Sequence, residues 1–265
     1  MTRWRLLDTG AADGAWNMAC DVALMERARR TGEAVFRVYA WARPTLSFGR
    51  HEAARRQYDP QAIAAAGVDV VRRPTGGRAL LHDHEVTYSI TAPVAAGESL
   101  ASSVRSFNQL LLRALRLLGV EAIEARTPRA LRPEGAACFA APSAGELTLN
   151  DRKLVGSAQV RQDGALLQHG SILLDDDQGR IAGFVHGPYL PPMPAAALHE
   201  AIGHRATYDA VRDALAAAVA ATVAEDAGTD APAPLVLSAD QALRNIPAFD
   251  DAIARFRDPG WTWRR

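Results

Sequence analysis

The sequence is poor in cysteine. It has two, Cys20 and Cys138, in 265 residues. Two thiols form neither a disulfide framework nor a four-cysteine zinc site. None of the seven histidines stands in an HExxH motif or beside paired CxxC motifs. We therefore expect a protein without a metal centre, and we also expect no cofactor. Cys20 is expected to pack as a small core residue.

The sequence also lacks an excess of charge and a long apolar run. Thirty basic residues balance thirty acidic ones, whereas proteins that bind nucleic acid generally carry an excess of positive charge. No apolar run approaches the roughly 20 residues of a membrane helix. The first five residues, MTRWR, contain no apolar signal core. These features predict a cytoplasmic protein that binds neither nucleic acid nor membranes.

Lysine is the scarcest charged residue. Of the thirty basic residues, 29 are arginine and only one, Lys153, is lysine. Arginine replaces lysine where only positive charge is needed, but not where an amine must release its proton or act as a compact point charge. Lys153 is therefore a candidate functional residue. The alternative is a surface lysine that has survived by chance.

The order of predicted elements indicates an α+β fold. Helical patterns cover 15–30, 61–66, 103–118 and 206–225, and strand patterns cover 34–41, 45–49, 68–72, 79–82, 85–94, 145–149, 153–161 and 165–174. Asp13 is expected to cap the first helix. The pairs Asn150-Asp151 and Asp163-Gly164 predict hairpin turns, because these residues tolerate positive φ. Hairpins outnumber βαβ units, which favours a mixed sheet over a doubly wound one.

The segment RRPTGGRALLHD, residues 72–83, is the first candidate for a binding site. Gly76 and Gly77 follow a strand, so their backbone N–H groups can approach a ligand or form an anion-binding concavity. Arg72, Arg73 and Arg78 are expected to line one mouth of this site with cations. The alternative is a tight hairpin turn.

His82, at the end of this segment, is expected to orient a neighbouring group or to act as a base, or else to be a neutral core histidine.

The second candidate is Cys138, which lies in a loop predicted over 127–145. A reactive cysteine is partly exposed near positive charge, whereas a structural one lies in a periodic apolar element. If the hairpin before Lys153 folds back, the thiol and the amine meet. The ammonium then favours the thiolate, and the neutral amine relays a proton from an incoming nucleophile.

The third candidate, QHGSILL at 168–174, is typical of a pocket-lining strand, or of an ordinary buried one.

Four patterns together resemble the cysteine-dependent octanoyltransferases of the lipoate–biotin ligase superfamily: RRPTGGRALLHD (72–83), CFAAPSAGEL (138–147), DRKLVGSAQVRQ (151–162) and LQHGSILLD (167–175). They match in order and spacing, and the resemblance extends from about residue 4 to the terminal tryptophans. It implies one domain over 1–265 of the class II synthetase/biotin-ligase type, with a mixed, largely antiparallel sheet flanked by helices. The core is expected at 32–225 and a short C-terminal tail at 235–265.

The resemblance also implies an acyl transfer. Octanoate arrives as a thioester on acyl carrier protein and passes to a lysine of a lipoyl-carrier protein, typically the H protein of the glycine cleavage system. Cys138 matches the family's acyl-thioester nucleophile, and Lys153 matches the lysine that lowers the pKa of that thiol. The expected substrate-binding residues are Arg72, Arg73, Thr75, Gly76, Gly77, Arg78, His82, Gly156, Ser157, His169 and Gly170.

Three alternatives stay open at this point. ATP-dependent lipoate ligases of the superfamily have a third glycine where this chain has Arg78, and they do not use a nucleophilic cysteine. A related amidotransferase uses a cysteine near this place but differs around 78–82 and 138–143. A non-catalytic acyl-binding protein would keep the pocket without needing the thiol. The resemblance implies carriers that are small acidic domains, and Arg55, Arg56, Arg72 and Arg73 are candidates to face them.

Overall fold

The structure is a computed structural model and describes residues 3–94, 99–125, 146–187, 193–227 and 233–264, without the side chains of residues 100 and 101. The strands are β1 (Arg3–Ala12), β2 (Glu33–Trp41), β3 (Thr45–Phe48), β4 (Asp69–Arg72), β5 (Leu80–His82), β6 (Glu85–Pro93), β7 (Ile123–Glu124), β8 (Leu147–Leu149), β9 (Arg152–Gln162), β10 (Ala165–Leu173) and β11 (Leu235–Leu237). The helices are α1 (Gly14–Thr31), α2 (Ala54–Gln57), α3 (Pro60–Ala65), α4 (Leu100–Leu117), α5 (Leu198–Ile202), α6 (Tyr208–Ala227), α7 (Ala239–Leu243), α8 (Ala248–Arg257) and α9 (Pro259–Thr262), with 3₁₀ turns at Gln178–Phe184 and Gly203–Arg205.

Two sheets form the framework. The main sheet has eight strands in the order β11-β1-β2-β6-β10-β9-β8-β7, and the small sheet has the order β4-β3-β5. In the main sheet, β1 pairs in parallel with β11 and β2, and the neighbours from β2 to β7 are antiparallel. The prediction of an α+β fold with a mixed, largely antiparallel sheet is confirmed.

The two faces of the main sheet are covered by different elements. Helices α4 and α6 cover one face, where Val86 and Ile90 of β6 pack with Leu111 and Leu215 in the largest apolar cluster. Helix α1 packs against the other face, and the small sheet contributes its own apolar cluster. None of the helices in the described ranges is long and apolar enough to cross a membrane.

Local signals in the sequence correspond to local structure. Asp13 caps α1, accepting a hydrogen bond from the backbone N–H of Trp16. Asn150 and Asp151 have φ angles of 51° and 60°, and Asp163 has a φ of 50°, so both predicted hairpin turns are confirmed. The predicted loop at 127–145 lies wholly outside the described residues.

The C-terminal segment is packed against the rest of the chain. Strand β11 pairs with β1, and Phe256 of α8 lies in one apolar cluster with Met18 of α1. Nε of Arg72 donates to the carbonyl of Thr262 at 2.9 Å, and Nε1 of Trp261 donates to the carbonyl of Arg72 at 3.0 Å. These contacts hold α9 against β4.

Candidate active site

A small cavity lies on the α1 face of the main sheet, next to the small sheet; we call it the central cavity. It is lined by Met18, Tyr39, Trp41 and Leu80 on its apolar side and by Ser47, Arg73, His82, His169 and Ser171 on its polar side, with Gly156, Ser157 and Gly170 in its strand wall. Its volume is about 30 Å³, enough for water but not for an extended acyl chain. A larger ligand therefore enters only when side chains in the lining move.

The predicted glycine turn follows Arg73, which lines the central cavity. Gly77 has a φ of +96°, and a Cβ atom there would lie 2.7 Å from Nη2 of Arg73. A Cβ on Gly49 would lie 1.8 Å from the carbonyl oxygen of Gly77. The backbones of the turn and of the loop after β3 therefore approach more closely than side chains allow, which explains the glycines at both positions.

Arg72 and Arg73 are buried, with 0% and 4% of their surfaces exposed. Nη1 of Arg72 donates to the carbonyls of Gly49 (2.6 Å) and Glu52 (2.9 Å). Nη2 of Arg73 donates to those of Gly76 (2.9 Å) and Arg78 (2.6 Å). Backbone carbonyls in the surrounding loops occupy both guanidinium groups, so the prediction that Arg72 and Arg73 face a carrier protein is wrong, whereas Arg73 does line the central cavity.

Three other predicted cations are more accessible. Arg55 and Arg56 are exposed on α2, as an interaction surface would require. Arg78 is partly exposed, although its Nη1 atom is buried and has no hydrogen-bond partner among the described residues. Of the four arginines predicted to face a carrier protein, only Arg55 and Arg56 remain candidates.

A buried chain of hydrogen bonds connects α1, β10 and the glycine turn. Nδ1 of His169 donates to Oδ2 of Asp21 at 3.0 Å, because a carboxylate only accepts. Nε2 of the same ring lies 2.7 Å from Oγ1 of Thr75, which donates to it when the ring is neutral. Asp21 also accepts from Arg37 and Ser89, at 2.8 and 2.7 Å. His169, which lines the central cavity, is therefore held between Asp21 of α1 and Thr75 of the glycine turn.

The pKa shifts of this pair have opposing causes. Burial would raise the pKa of Asp21, but the hydrogen bond from His169 and the charge of Arg37 outweigh it, so this pKa is lowered. Burial is the largest influence on His169 and lowers its pKa, Asp21 raises it, the charges of Arg73 and His82 lower it, and the net shift is downward. The buried unit is therefore an aspartate and a neutral histidine.

A second acid–histidine chain lies beside the first. Nδ1 of His82 donates to Oε1 of Glu85 at 2.8 Å, and Nε2 lies 2.8 Å from Oγ of Ser47. The ring stacks on Trp41 with centroids 3.9 Å apart. Ser47 also accepts from Nη1 of Arg73 at 3.0 Å. His82 therefore connects β5 to β3 and, through Ser47 and Arg73, to the turn.

Lys153 is buried on β9, with 1% of its side chain exposed, and it is no surface lysine. Its Nζ atom lies 2.6 Å from Oε1 of Glu146. Glu146 is the first described residue after the segment that contains Cys138, and Cys138 lies outside the described residues. Three residues farther along β9, about 10 Å in an extended strand, Gly156 and then Ser157 line the central cavity.

Gly170 leaves no room for a side chain, a constraint that the sequence alone does not reveal. A Cβ atom there would lie 2.5 Å from the carbonyl oxygen of Gly156 and 2.8 Å from Cε1 of Tyr88. The residue therefore permits close packing between β9, β10 and β6, in addition to lining the cavity.

Two titratable groups of this site went unrecognised in the sequence, Asp21 and Glu85. Each lies inside an apolar helix or strand pattern. The histidine partner of Asp21 is 148 residues away in the sequence, and that of Glu85 is three residues away, across the turn before β6. Cys20, next to Asp21, is fully buried, so the prediction that it packs as a core residue is confirmed, and burial raises its pKa to about 12.

One group of possible metal ligands occurs among the described residues. Ligand atoms of Asp83, His84 and Asp177 lie within 4.8 Å of one another. Arg180 already donates to Asp83 at 2.6 Å, and His84 is exposed, so we assign no metal to this cluster.

Comparisons with known proteins place this geometry in a family. Residues 13–220 match the model of the lipoyl protein ligase A/B catalytic domain. The chain is 48% identical over 188 residues to octanoyltransferase LipM of Kyrpidia tusciae, covering 67% of this chain and 68% of that protein. It is 44% identical over 186 residues to octanoyltransferase LipM of Carboxydothermus hydrogenoformans, covering 68% of each.

A solved structure shares the fold. The bipartite lipoate protein ligase of Thermoplasma acidophilum, described with its E2 lipoyl domain, superposes with a TM-score of 0.74 at 17% identity, covering 99% of this chain and 97% of that one. The chain therefore belongs to the lipoyl protein ligase A/B catalytic domain family, and it is an enzyme of the acyltransferase class.

Proposed function

We propose that this enzyme is a protein octanoyltransferase of lipoate biosynthesis. It moves an octanoyl group from octanoyl-acyl carrier protein to a lysine of a lipoyl-carrier protein, with the H protein of glycine cleavage as acceptor. The names of its relatives support octanoyl transfer. The observation that carries the proposal is the position of Lys153, a buried amine on the strand that lines the central cavity.

The proposed reaction has two half-reactions. The thiolate of Cys138 attacks the thioester carbonyl, the C–S bond to the carrier breaks, and the carrier thiol leaves with a proton. The amine of the acceptor lysine then attacks the thioester on Cys138, an amide bond forms, and the Cys138 thiolate is released. Exchange between thioesters is nearly isoenergetic and amide formation is downhill, so no ATP is required.

Lys153 is assigned to the proton in both half-reactions. As an ammonium it favours the thiolate of Cys138, and as a neutral amine it accepts the proton that the acceptor lysine loses. A guanidinium group supplies charge but does not accept that proton. Glu146 holds the amine in place from the side of the chain that leads to Cys138.

The central cavity is the proposed site of the acyl chain. Its apolar wall suits a hydrocarbon, but eight carbons need more room than about 30 Å³, so the lining must open when the chain enters. Thr75, Gly76, Gly77, Arg78, His82, Gly156, Ser157, His169 and Gly170 remain the proposed binding residues. Arg72 and Arg73 act by holding the turn. The absence of a cofactor and the cytoplasmic location also remain predictions.

The test is an intact-mass measurement after incubation with octanoyl-acyl carrier protein in the absence of ATP. The proposal requires one octanoyl adduct that is absent in Cys138→Ala. Activity that appears only with ATP and free octanoate would instead indicate a ligase. An adduct formed from octanoylated H protein but not from octanoyl-acyl carrier protein would indicate an amidotransferase. Binding of acyl chains with no adduct from any donor would indicate a non-catalytic protein.

A further inference from the structure

The glycine turn, residues 74–78, packs against the loop that follows β3. The backbone N–H of Arg50, in that loop, donates to the carbonyl of Thr75 at 2.8 Å. Gly49 of the loop lies so close to Gly77 of the turn that a Cβ atom on it would meet the Gly77 carbonyl oxygen at 1.8 Å. The turn and the loop therefore form one packed unit.

Glu52, in the same loop, connects the loop to the chain that leaves the turn. Its Oε2 atom accepts from the backbone N–H of Gly49 at 2.9 Å, and its Oε1 atom accepts from that of Ala79 at 2.9 Å. The hydroxyl of Tyr58 also donates to Oε1, at 2.9 Å. One carboxylate therefore bridges two backbone segments, and three donors fix its orientation.

Glu52 also compensates the charge of Arg73. The Arg73 guanidinium is buried and donates to backbone carbonyls and to the hydroxyl of Ser47, and no carboxylate forms an ion pair with it among the described residues. Burial raises the pKa of Glu52, and the charge of Arg73 opposes this rise more than any other influence does. The attraction between the two charges adds to the hydrogen bonds that hold the loop against the turn.

Glu52 acts on the central cavity without belonging to its lining. Arg73, immediately before the turn, and Leu80, two residues after it, both line the cavity. Glu52 holds the backbone next to Leu80 through the N–H of Ala79, and it faces Arg73 with its charge. The part of the cavity wall that Arg73 and Leu80 form is therefore held in place from outside the cavity.

We propose that Glu52 is a positioning residue that limits the length of the acyl chain which the central cavity accepts. This inference rests on the proposed function, which places the acyl chain in that cavity. The cavity has a volume of about 30 Å³, so a chain enters only when the lining moves. A wall that is bridged to the loop after β3 moves less than a free one. The bridge therefore restricts the length of chain that fits.

The test compares octanoyl- and decanoyl-acyl carrier protein as donors for the parent and for two variants. Glu52→Gln keeps the length of the side chain but presents an amide N–H to one of the two backbone N–H groups. Glu52→Asp keeps the charge but is one methylene shorter, so it does not reach both groups. Each variant should lower the ratio of kcat/KM for octanoyl to that for decanoyl about tenfold, mainly through KM, because a released wall admits two more methylene groups.

Glu33→Gln is the matched control. Glu33 is a buried carboxylate on β2 that accepts from Arg5 and Arg27, both at 2.6 Å. It lies six residues, about 20 Å in an extended strand, from Tyr39 of the cavity lining. This variant should be less stable than the parent but keep the octanoyl-to-decanoyl ratio of the parent. A ratio that falls as far in Glu33→Gln as in the Glu52 variants would trace the effect to a general loss of stability, and the inference would be wrong.

Calorimetric titration with octanoate and decanoate provides a readout that does not depend on turnover. A shift of relative affinity towards decanoate in both Glu52 variants supports the inference even if octanoyl transfer is absent. A parent-like preference in both variants, in binding and in turnover, overturns it and leaves the proposed function intact. A shift in Glu52→Gln with a parent-like Glu52→Asp would assign the effect to charge alone, and the proposed bridge would be wrong.

Discussion

Nζ of Lys153 lies 2.6 Å from Oε1 of Glu146, and almost none of the lysine side chain reaches solvent. A buried ammonium requires a partner because it has lost its water, and Glu146 provides one. The pair connects β9, which lines the central cavity, to the chain that leads to Cys138. The sole lysine of the sequence is therefore held in a defined position, as a proton-transfer group must be.

Replacing Lys153 with arginine should separate charge from proton transfer. We expect Lys153→Arg to form the octanoyl adduct but to lose about 10²- to 10⁴-fold in transfer to the acceptor, because guanidinium cannot accept the proton. Rapid-quench assays of each half-reaction measure this, with the neighbouring Arg152→Lys as control. Full transfer activity in Lys153→Arg would limit the role of the residue to its charge.

The ion pair should be visible in a double-mutant cycle. Glu146→Gln and Lys153→Met should each lower the free energy of unfolding by about 1–3 kcal/mol, since each leaves a buried partner with fewer contacts. The double variant should lose less than the sum of the two. Urea unfolding measures all three. Strictly additive losses would mean that the two side chains stabilise the fold independently.

Alkylation should distinguish the two cysteines. Burial raises the pKa of Cys20 to about 12, so between pH 7 and 9 it has almost no thiolate and no access to reagent. Iodoacetamide should therefore add one group to the native protein and two to the unfolded protein, and the native site should be lost in Cys138→Ser. Modification of native Cys20 would contradict the burial of that thiol.

The Asp21–His169 pair should make stability depend on pH. The folded pKa of His169 lies below its ordinary value of 6.5, so the unfolded chain binds this proton first as the pH falls. Stability from this residue is complete above pH 6.5 and declines as the pH falls below it. We expect the Tm of the parent to fall between pH 7 and pH 5 by more than that of His169→Gln. Parallel curves would show that His169 is not kept neutral.

Gly170→Ala should destabilise the strands by overpacking. The new Cβ would meet the Gly156 carbonyl at 2.5 Å, so we expect a loss of about 1–3 kcal/mol in the free energy of unfolding. A Cβ atom on Gly179 would meet nothing within 4 Å beyond its chain neighbours, so Gly179→Ala is the matched control. Equal stability of the two variants would contradict the close packing at Gly170.

Local features were predictable because their causes lie within a few residues. Asp13 caps α1, and the turn at Asn150-Asp151 has the positive φ angles that its residues tolerate. The fold class followed from hairpins of this kind. Strand β1 was missed because Arg3–Ala12 has no regular alternation, and β11 was missed because it is three residues long.

The candidate site was less predictable because its contacts join distant parts of the chain. Arg73 was a candidate to face a carrier protein, yet carbonyls in a loop that doubles back bury it. Asp21 meets His169 across 148 residues, and no spacing rule connects them. Lys153 was found through its rarity in the sequence, a signal that does not depend on distance along the chain.

The most direct test of the proposed mechanism is a chase of the isolated octanoyl-enzyme. The enzyme is loaded from octanoyl-acyl carrier protein, freed of donor, and mixed with excess lipoyl-carrier protein without ATP. We predict that the adduct on Cys138 disappears at the rate at which octanoyl-lysine forms on the acceptor, and at least as fast as steady-state turnover. An adduct that persists while the acceptor is modified from fresh donor would show that the Cys138 thioester is not an intermediate.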